Sequence, residues 1–307
     1  MQFMNQIKKI REWKWNMSRF DSILLGDNAF YGIDHLSHER ARERISTVQS
    51  IENAVKIIKF SYELGATGMV VATRPRLREW IEHLRETSDL VDKLDFHPVM
   101  PYARGLQMKL SQLGMVKTMN ELMKGAGIKK EIKLLTRGGL GFLKKDMLEL
   151  FRVFLDTEML KLSMIKPKII FLHPVLVDLA LALKMKNIFE TFSDHLKNNY
   201  QIKTGLCTKN FPMLVSKLNE WDLKFSSIMT SFNPAGFLMN SSKKACEDAL
   251  NTYDGSVLAM NIFAGGYSKV DEGINYILSQ TKIRNLVVGV SSVEHAKETF
   301  GLLTNAN

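Results

Sequence analysis

The densest group of chemically able side chains in this sequence is the stretch Asp27-Asn28-Ala-Phe-Tyr31-Gly-Ile-Asp34-His35, with His38 close behind. A carboxylate, an amide, a phenol and an imidazole within nine positions could serve acid–base chemistry or hold an anion. The same residues also suit an Asx-type turn and a helix N-cap, supplied by Asp27 and Asp34. Other groups of this kind stand singly, each just past a short apolar run: Arg74, Tyr102 and Arg104, His173, Cys207 and Thr208, and Asn233. His97 lies within such a run, where a hydrogen-bonded core residue is the commoner outcome. Asp27, His97 and His173 are the acid–base candidates, with Tyr31 and Tyr102 as further proton donors. Arg74, Arg104 and Asn28 are the candidates for gripping a substrate anion. No spacing matches a zinc signature, so no metal site is expected.

Residues scattered from position 27 to 292 can share a site only if the chain brings their positions together. The last quarter shows how. Val257-Leu-Ala-Met-Asn-Ile-Phe-Ala-Gly265-Gly266 and Asn285-Leu-Val-Val-Gly289-Val-Ser291-Ser292 are apolar runs that end in glycine and small polar residues. Each is followed at once by a helical pattern. An apolar run bounded by turn signals reads as a strand buried on both faces, and the pair reads as two βα units in tandem. Their glycine loops would then hold an anion at a helix N-terminus.

Earlier runs repeat the pattern: Ser22–Gly26, Gly68–Ala72, Leu94–Met100, Lys168–Leu172, Ile202–Leu206 and Phe225–Thr230. Helical patterns fall between them at 51–64, 176–197, 211–220, 241–250 and 269–280, with a last one at 292–303. Eight strand signals alternating with helices predict an α/β fold, a (β/α)₈ barrel in which all strand tips face one way. A single barrel domain over residues 1–307 is expected, since no linker-like stretch interrupts it. Two segments stand outside the repeat. Residues 1–20 place Phe3, Ile7, Ile10, Trp13 and Met17 at helical spacing among basic residues, an amphipathic helix that caps the barrel or rests on a membrane. Residues 125–165, with Arg137-Gly-Gly-Leu-Gly141 and two lysine pairs, form a helical insertion between strands three and four, positioned to be a lid.

Composition narrows the partners. The chain has 307 residues and a formal charge of +10, from 42 Lys and Arg against 32 Asp and Glu. Such a balance favours anionic partners: phosphorylated metabolites, nucleic acid or a membrane surface. Cys207 and Cys246 give no disulfide framework, no apolar stretch is long enough to span a bilayer, and the N-terminus lacks an apolar signal core. A cytoplasmic protein is therefore expected.

The order of the strand tips resembles the aldo-keto reductase superfamily. The likeness runs over about residues 168–303. It is carried by Ile-Ile-Phe-Leu-His173-Pro, Thr-Gly205-Leu-Cys-Thr-Lys-Asn, Asn233-Pro, Leu-Ala-Met-Asn-Ile-Phe-Ala-Gly-Gly266 and Val-Gly289-Val-Ser-Ser-Val-Glu-His. By this resemblance His173 takes the place of the histidine that orients or protonates a carbonyl oxygen. Cys207 and Thr208 take the place of a Ser-Asn pair touching the nicotinamide amide. Gly289, Ser291 and Ser292 take the place of the loop that holds the adenosine-side phosphate, and Asn233, Gly265 and Gly266 complete the cofactor-binding tips. Several family residues are replaced: Val70 or Val71 for the aspartate, Val99 or Met100 for the lysine, Met260 for a stacking tyrosine and Met229 for a glutamine.

Three functions are compatible with these features. The resemblance implies an oxidoreductase linked to NAD(P) that acts on a small carbonyl compound. The tip residues by themselves suit a non-redox lyase or isomerase acting on a phosphorylated or carboxylated small molecule. The basic balance also suits a non-enzymatic barrel that binds RNA or an acidic partner through residues 1–20 and 125–165.

Overall fold

The computed structural model describes residues 19–31, 50–74, 76–101 and 143–305. Eight parallel strands close into a barrel in sequence order: β1 (Ser22–Gly26), β2 (Gly68–Ala72), β3 (Asp95–Met100), β4 (Ile169–Leu172), β5 (Lys203–Cys207), β6 (Ser227–Ser231), β7 (Val257–Met260) and β8 (Asn285–Val288). Closure is made by β8 pairing with β1, Leu24 opposite Val287. The expected (β/α)₈ barrel is the fold observed.

The helices are α1 (Ile51–Glu63), α2 (Leu77–Thr87), the short α3 (Leu90–Lys93), α4 (Leu143–Lys161), α5 (Pro174–Ala182), α6 (Lys186–Tyr200), α7 (Phe211–Trp221), α8 (Lys243–Thr252), α9 (Val270–Ser279) and α10 (Val293–Asn305). Local chemistry starts and stops them. Ser50 caps α1 by accepting from the Asn53 N–H at 3.1 Å, and Ser242 caps α8 in the same way. α6 ends at Gln201 and α7 at Asp222, both in the left-handed region.

Two differences from the sequence pattern have backbone causes. The expected helix over 176–197 is two helices, because Lys184 adopts a positive φ of 53° and turns the chain between α5 and α6. The apolar run from Val257 forms a strand only as far as Met260. Asn261 and Ala264 then take φ of 54° and 51°, and Ala264–Gly266 closes a 3₁₀ turn. Of the expected insertion, residues 143–161 form α4, which packs on the barrel wall with Leu155 fully buried. Residues 125–142 lie outside the described residues, as does almost all of the expected N-terminal helix.

Strand alternation divides the core in two. Outward residues such as Ile23, Met69, Phe96, Ile170 and Leu206 meet the helices. Inward residues Leu24, Val70, Phe171, Cys207, Met229 and Leu258 fill the barrel. Phe171 is wholly buried, and Gly205 makes room for it: a Cβ at 205 would lie 2.5 Å from the ring. Gly68 is equally constrained, since a Cβ there would lie 2.1 Å from the Asp95 carbonyl oxygen. The interior is therefore a packed floor beneath the strand tips.

Candidate active site at the barrel mouth

The residues past β1 and β2 are locked together. Asp27 follows β1 directly and is buried. Its Oδ2 accepts from the Ala72 N–H at 2.8 Å, and its Oδ1 lies 3.8 Å from an Arg74 terminal nitrogen. Burial raises the Asp27 pKa above its ordinary value, against the opposing pull of Arg74 and the Ala72 N–H. Arg74 also donates to Asn28 Oδ1 at 2.6 Å, and its guanidinium lies 4.4 Å from the centre of the Tyr31 ring. The Tyr31 oxygen in turn accepts from the Trp80 indole N–H at 3.0 Å. Burial, helped by the Asp27 charge, pushes the Tyr31 phenol up to about 12. It is thus a poor proton donor near neutrality and serves as the aromatic face that holds Arg74.

His173 stands one residue past β4 and caps α5. Its Nδ1 accepts from the Val175 N–H at 3.2 Å, so the neutral ring carries its proton on Nε2. Burial first, then the positive charges of Lys209 and Arg74, lower its pKa to about 4. At pH 7 it is a neutral donor. The tips of β1, β2 and β4 lie at the same end of the parallel barrel, and the Arg74 charge acts on Asp27, Tyr31 and His173 alike. Lys209, past β5, completes this group.

His97 does not join it. It points into the barrel beside Phe171, with ring centres 6.2 Å apart, and is buried. The charges that reach it are Asp95 and Lys168, which form an ion pair at the N-terminal end of the strands. Among the described residues its Nδ1 has no hydrogen-bond partner.

The other expected positions are engaged in the fold. Cys207 belongs to the barrel filling, and burial pushes its thiol far up. Thr208 is fully buried and donates to Asp178 Oδ1 at 2.5 Å. Asn233, also fully buried, accepts from the Phe237 N–H at 2.8 Å and donates to the Phe237 carbonyl at 2.9 Å, clamping its own loop. Gly265 and Gly266 take φ of 72° and 96° in the turn after β7. Gly289 is exposed, with open space where a side chain would start. Ser291 is half-buried beside it. Ser292 accepts from the His295 N–H at 3.0 Å at the start of α10, and its hydroxyl also serves Glu294, whose pKa is lowered by its own backbone N–H and that hydroxyl. Asp34, His35, His38, Tyr102 and Arg104 lie outside the described residues. A groove of about 370 Å³ on the outer wall, lined by Lys56, Phe60 and His83 among others, is set between α1 and α2 and has none of these groups.

Sequence reasoning passed over Trp80, Asp178 and Lys209. A lone carboxylate in the apolar helix Pro-Val-Leu-Val-Asp178-Leu-Ala-Leu-Ala was a usable signal, as was a second cation at a strand tip.

No family model and no curated protein match this chain. Solved structures do. A candidate aldo-keto reductase from Pseudomonas aeruginosa is 14% identical, with a TM-score of 0.60, covering 94% of this chain and 91% of that one. A second from the same organism is 12% identical, with a TM-score of 0.59 and coverages of 94% and 90%. A candidate 2,5-diketo-D-gluconic acid reductase B is 9% identical, with a TM-score of 0.54 and coverages of 94% and 84%. At these identities the likeness is one of fold: the chain has the barrel seen in aldo-keto reductases, and this likeness covers most of the chain. Among the described residues no helix is long and apolar enough to cross a membrane.

A nicotinamide cofactor held as in that family would need free polar groups at the ends of β5 and β6. Here Cys207 and Met229 are packed inside the barrel, while Thr208 and Asn233 already have intramolecular partners. The residues present do not fit the nicotinamide end. At the adenosine end the open Gly289 loop fits, but the Glu294 carboxylate stands in the first turn of α10.

Proposed function

We propose that this chain is a barrel enzyme that acts on a small anionic carbonyl compound at the C-terminal mouth, as a lyase or isomerase. The observation that carries this reading is His173. Its Nδ1 is occupied by a backbone N–H, its Nε2 carries a proton, and burial, with two cations, keeps it neutral. A neutral imidazole donor polarises a carbonyl oxygen and stabilises the negative charge that develops there. Asp27 is the carboxylate that shares Arg74 with His173, and its raised pKa makes it the stronger base for taking a proton beside that carbonyl. Arg74, already steadied by Tyr31 and Asn28, contributes the charge that draws the substrate anion.

A second reading, hydride transfer from NAD(P)H to the same carbonyl, is favoured by the barrel's likeness to reductases and by the open Gly289 loop. The residues at the nicotinamide end speak against it. Both readings are tested on protein labelled with ¹⁵N at histidine. Titration with pyruvate and with dihydroxyacetone phosphate is expected to move the His173 Nε2 resonance in both cases. If neither compound moves it, the reading of an anionic carbonyl substrate is lost. Saturable quenching or enhancement of NADH or NADPH fluorescence by the protein would replace the lyase or isomerase reading with the reductase one.

A further inference from the structure

We infer that Lys209 is a substrate-anion residue of this mouth and that Asp178 is the positioning residue that aims it. The inference rests on the carbonyl reading of the mouth and adds the class of group the substrate carries: a carboxylate or phosphate, held by the β5 tip.

The backbone around Lys209 is tied on both sides. Its N–H donates to Asp178 Oδ2 at 3.2 Å, and its carbonyl accepts from the Asn240 N–H at 3.0 Å. The preceding Thr208 donates its hydroxyl to Asp178 Oδ1 at 2.5 Å and its N–H to the Met229 carbonyl at 3.0 Å. The following Asn210 N–H donates back to the Thr208 hydroxyl at 2.9 Å. The lysine stem therefore leaves a fixed point. Asp178 spends both oxygens on this work; the Lys209 charge reaches its carboxylate, but the two make no ion pair within 4.0 Å.

Among the described residues, no carboxylate lies within 4.0 Å of the half-buried Lys209 ammonium, and no hydrogen bond is made by it. Other partly buried lysines are satisfied: Lys217 pairs with Glu220, and Lys243 donates to the Pro234 carbonyl at 3.0 Å while resting 4.6 Å from the Tyr276 ring centre. The ammonium thus has no direct partner within hydrogen-bond or ion-pair distance, and an incoming anion would supply one. Of the carboxylates nearby, Asp178 is held by the β5 tip, and Asp27, the base of the carbonyl reading, rests beside Arg74 and the Ala72 N–H. What the β2, β4 and β5 tips present to a ligand is a set of donors: Arg74, His173 Nε2 and Lys209. Such a set suits a molecule that brings its own negative charge beside a carbonyl.

The test compares wild type with Lys209→Met, Lys209→Arg and Asp178→Asn, using ¹⁵N-histidine spectra. In the free protein, Lys209→Met removes a positive charge from beside His173, so the His173 pKa should rise, while Lys209→Arg leaves it in place. Titrations with pyruvate and with inorganic phosphate should each give a dissociation constant in wild type that Lys209→Met weakens by roughly tenfold or more, as expected for loss of a charge-assisted contact. Lys209→Arg should stay close to wild type. Asp178→Asn should weaken binding to a smaller degree without lowering the melting temperature by the same proportion. A response to pyruvate alone assigns the subsite to carboxylates, and a response to phosphate alone assigns it to phosphates. Unchanged binding and an unchanged His173 pKa in Lys209→Met would overturn the inference. So would a wild type that binds neither anion, and in that case a His173 response to neutral hydroxyacetone would show that the carbonyl site survives without it.

Discussion

His97 and His173 are both held neutral down to a pKa of about 4, yet their surroundings have little in common. His97 is depressed by burial, with Asp95 pulling the other way, and sits in the packed floor of the barrel against Phe171. His173 is depressed by burial and by two cations, at the rim, with one ring nitrogen fixed and the other carrying a proton. A shifted pKa alone therefore does not mark a working residue. The charges that produce the shift, and whether a ligand can reach them, separate the two.

The sharpest way to break this contrast is at Asp27. Replacing it with alanine removes a carboxylate 3.8 Å from the mostly buried Arg74 and takes away the acceptor of the Ala72 N–H. Loss of this buried acceptor should cost about 1–3 kcal/mol in urea denaturation. Asp27→Asn keeps an acceptor for Ala72 and should cost clearly less. If the two variants are equally stable, the rim owes its order to something other than this pair.

The next effect concerns acid. The folded pKa of His97, about 4, lies below the unfolded value near 6.5, so the unfolded chain binds more protons as pH falls between the two. The stability held above pH 6.5 is lost on the way down to pH 4, on the order of 3 kcal/mol for this one group. His97→Phe keeps a ring against Phe171 and should flatten the acid limb of a stability–pH curve by about that amount. A curve of unchanged slope would mean that His97 is not held neutral.

The smallest effect tests the floor itself. Gly205→Ala sets a methyl group 2.5 Å from the Phe171 ring, which must shift. Overpacking of this kind should cost about 1–3 kcal/mol, while His173 should titrate as in wild type. A moved His173 pKa would show that rim and floor are coupled.

The barrel was legible because buried parallel strands are written as short apolar runs, and each of the eight runs starts at or within about two residues of an observed strand. What the runs hid was direction. His97 was legible as a histidine near a strand end, but only the alternation of β3 and its register, with Val70 opposite His97, turn it into the barrel. The left-handed turn at Lys184 left no trace, since a lysine there carries no signal comparable to glycine. At the site, Asp27, Arg74 and His173 were legible as polar residues at strand tips. Asp178 and Lys209 each left a signal, but their link did not, because it spans about 30 positions and depends on how α5 lies against β5. The Thr208 and Asn233 readings came from family likeness, and likeness of position could not reveal that each side chain already had an intramolecular partner.

The ring of Phe171, admitted by the missing side chain at Gly205, belongs to the packed filling beside His97. The charges sensed by His97 belong to Asp95 and Lys168, those sensed by His173 to Lys209 and Arg74, and no charge is common to both sets. Selection can therefore rewrite the ionic groups at one end of this molecule without retuning the other, which leaves the rim free to acquire a chemistry of its own while the scaffold stays put.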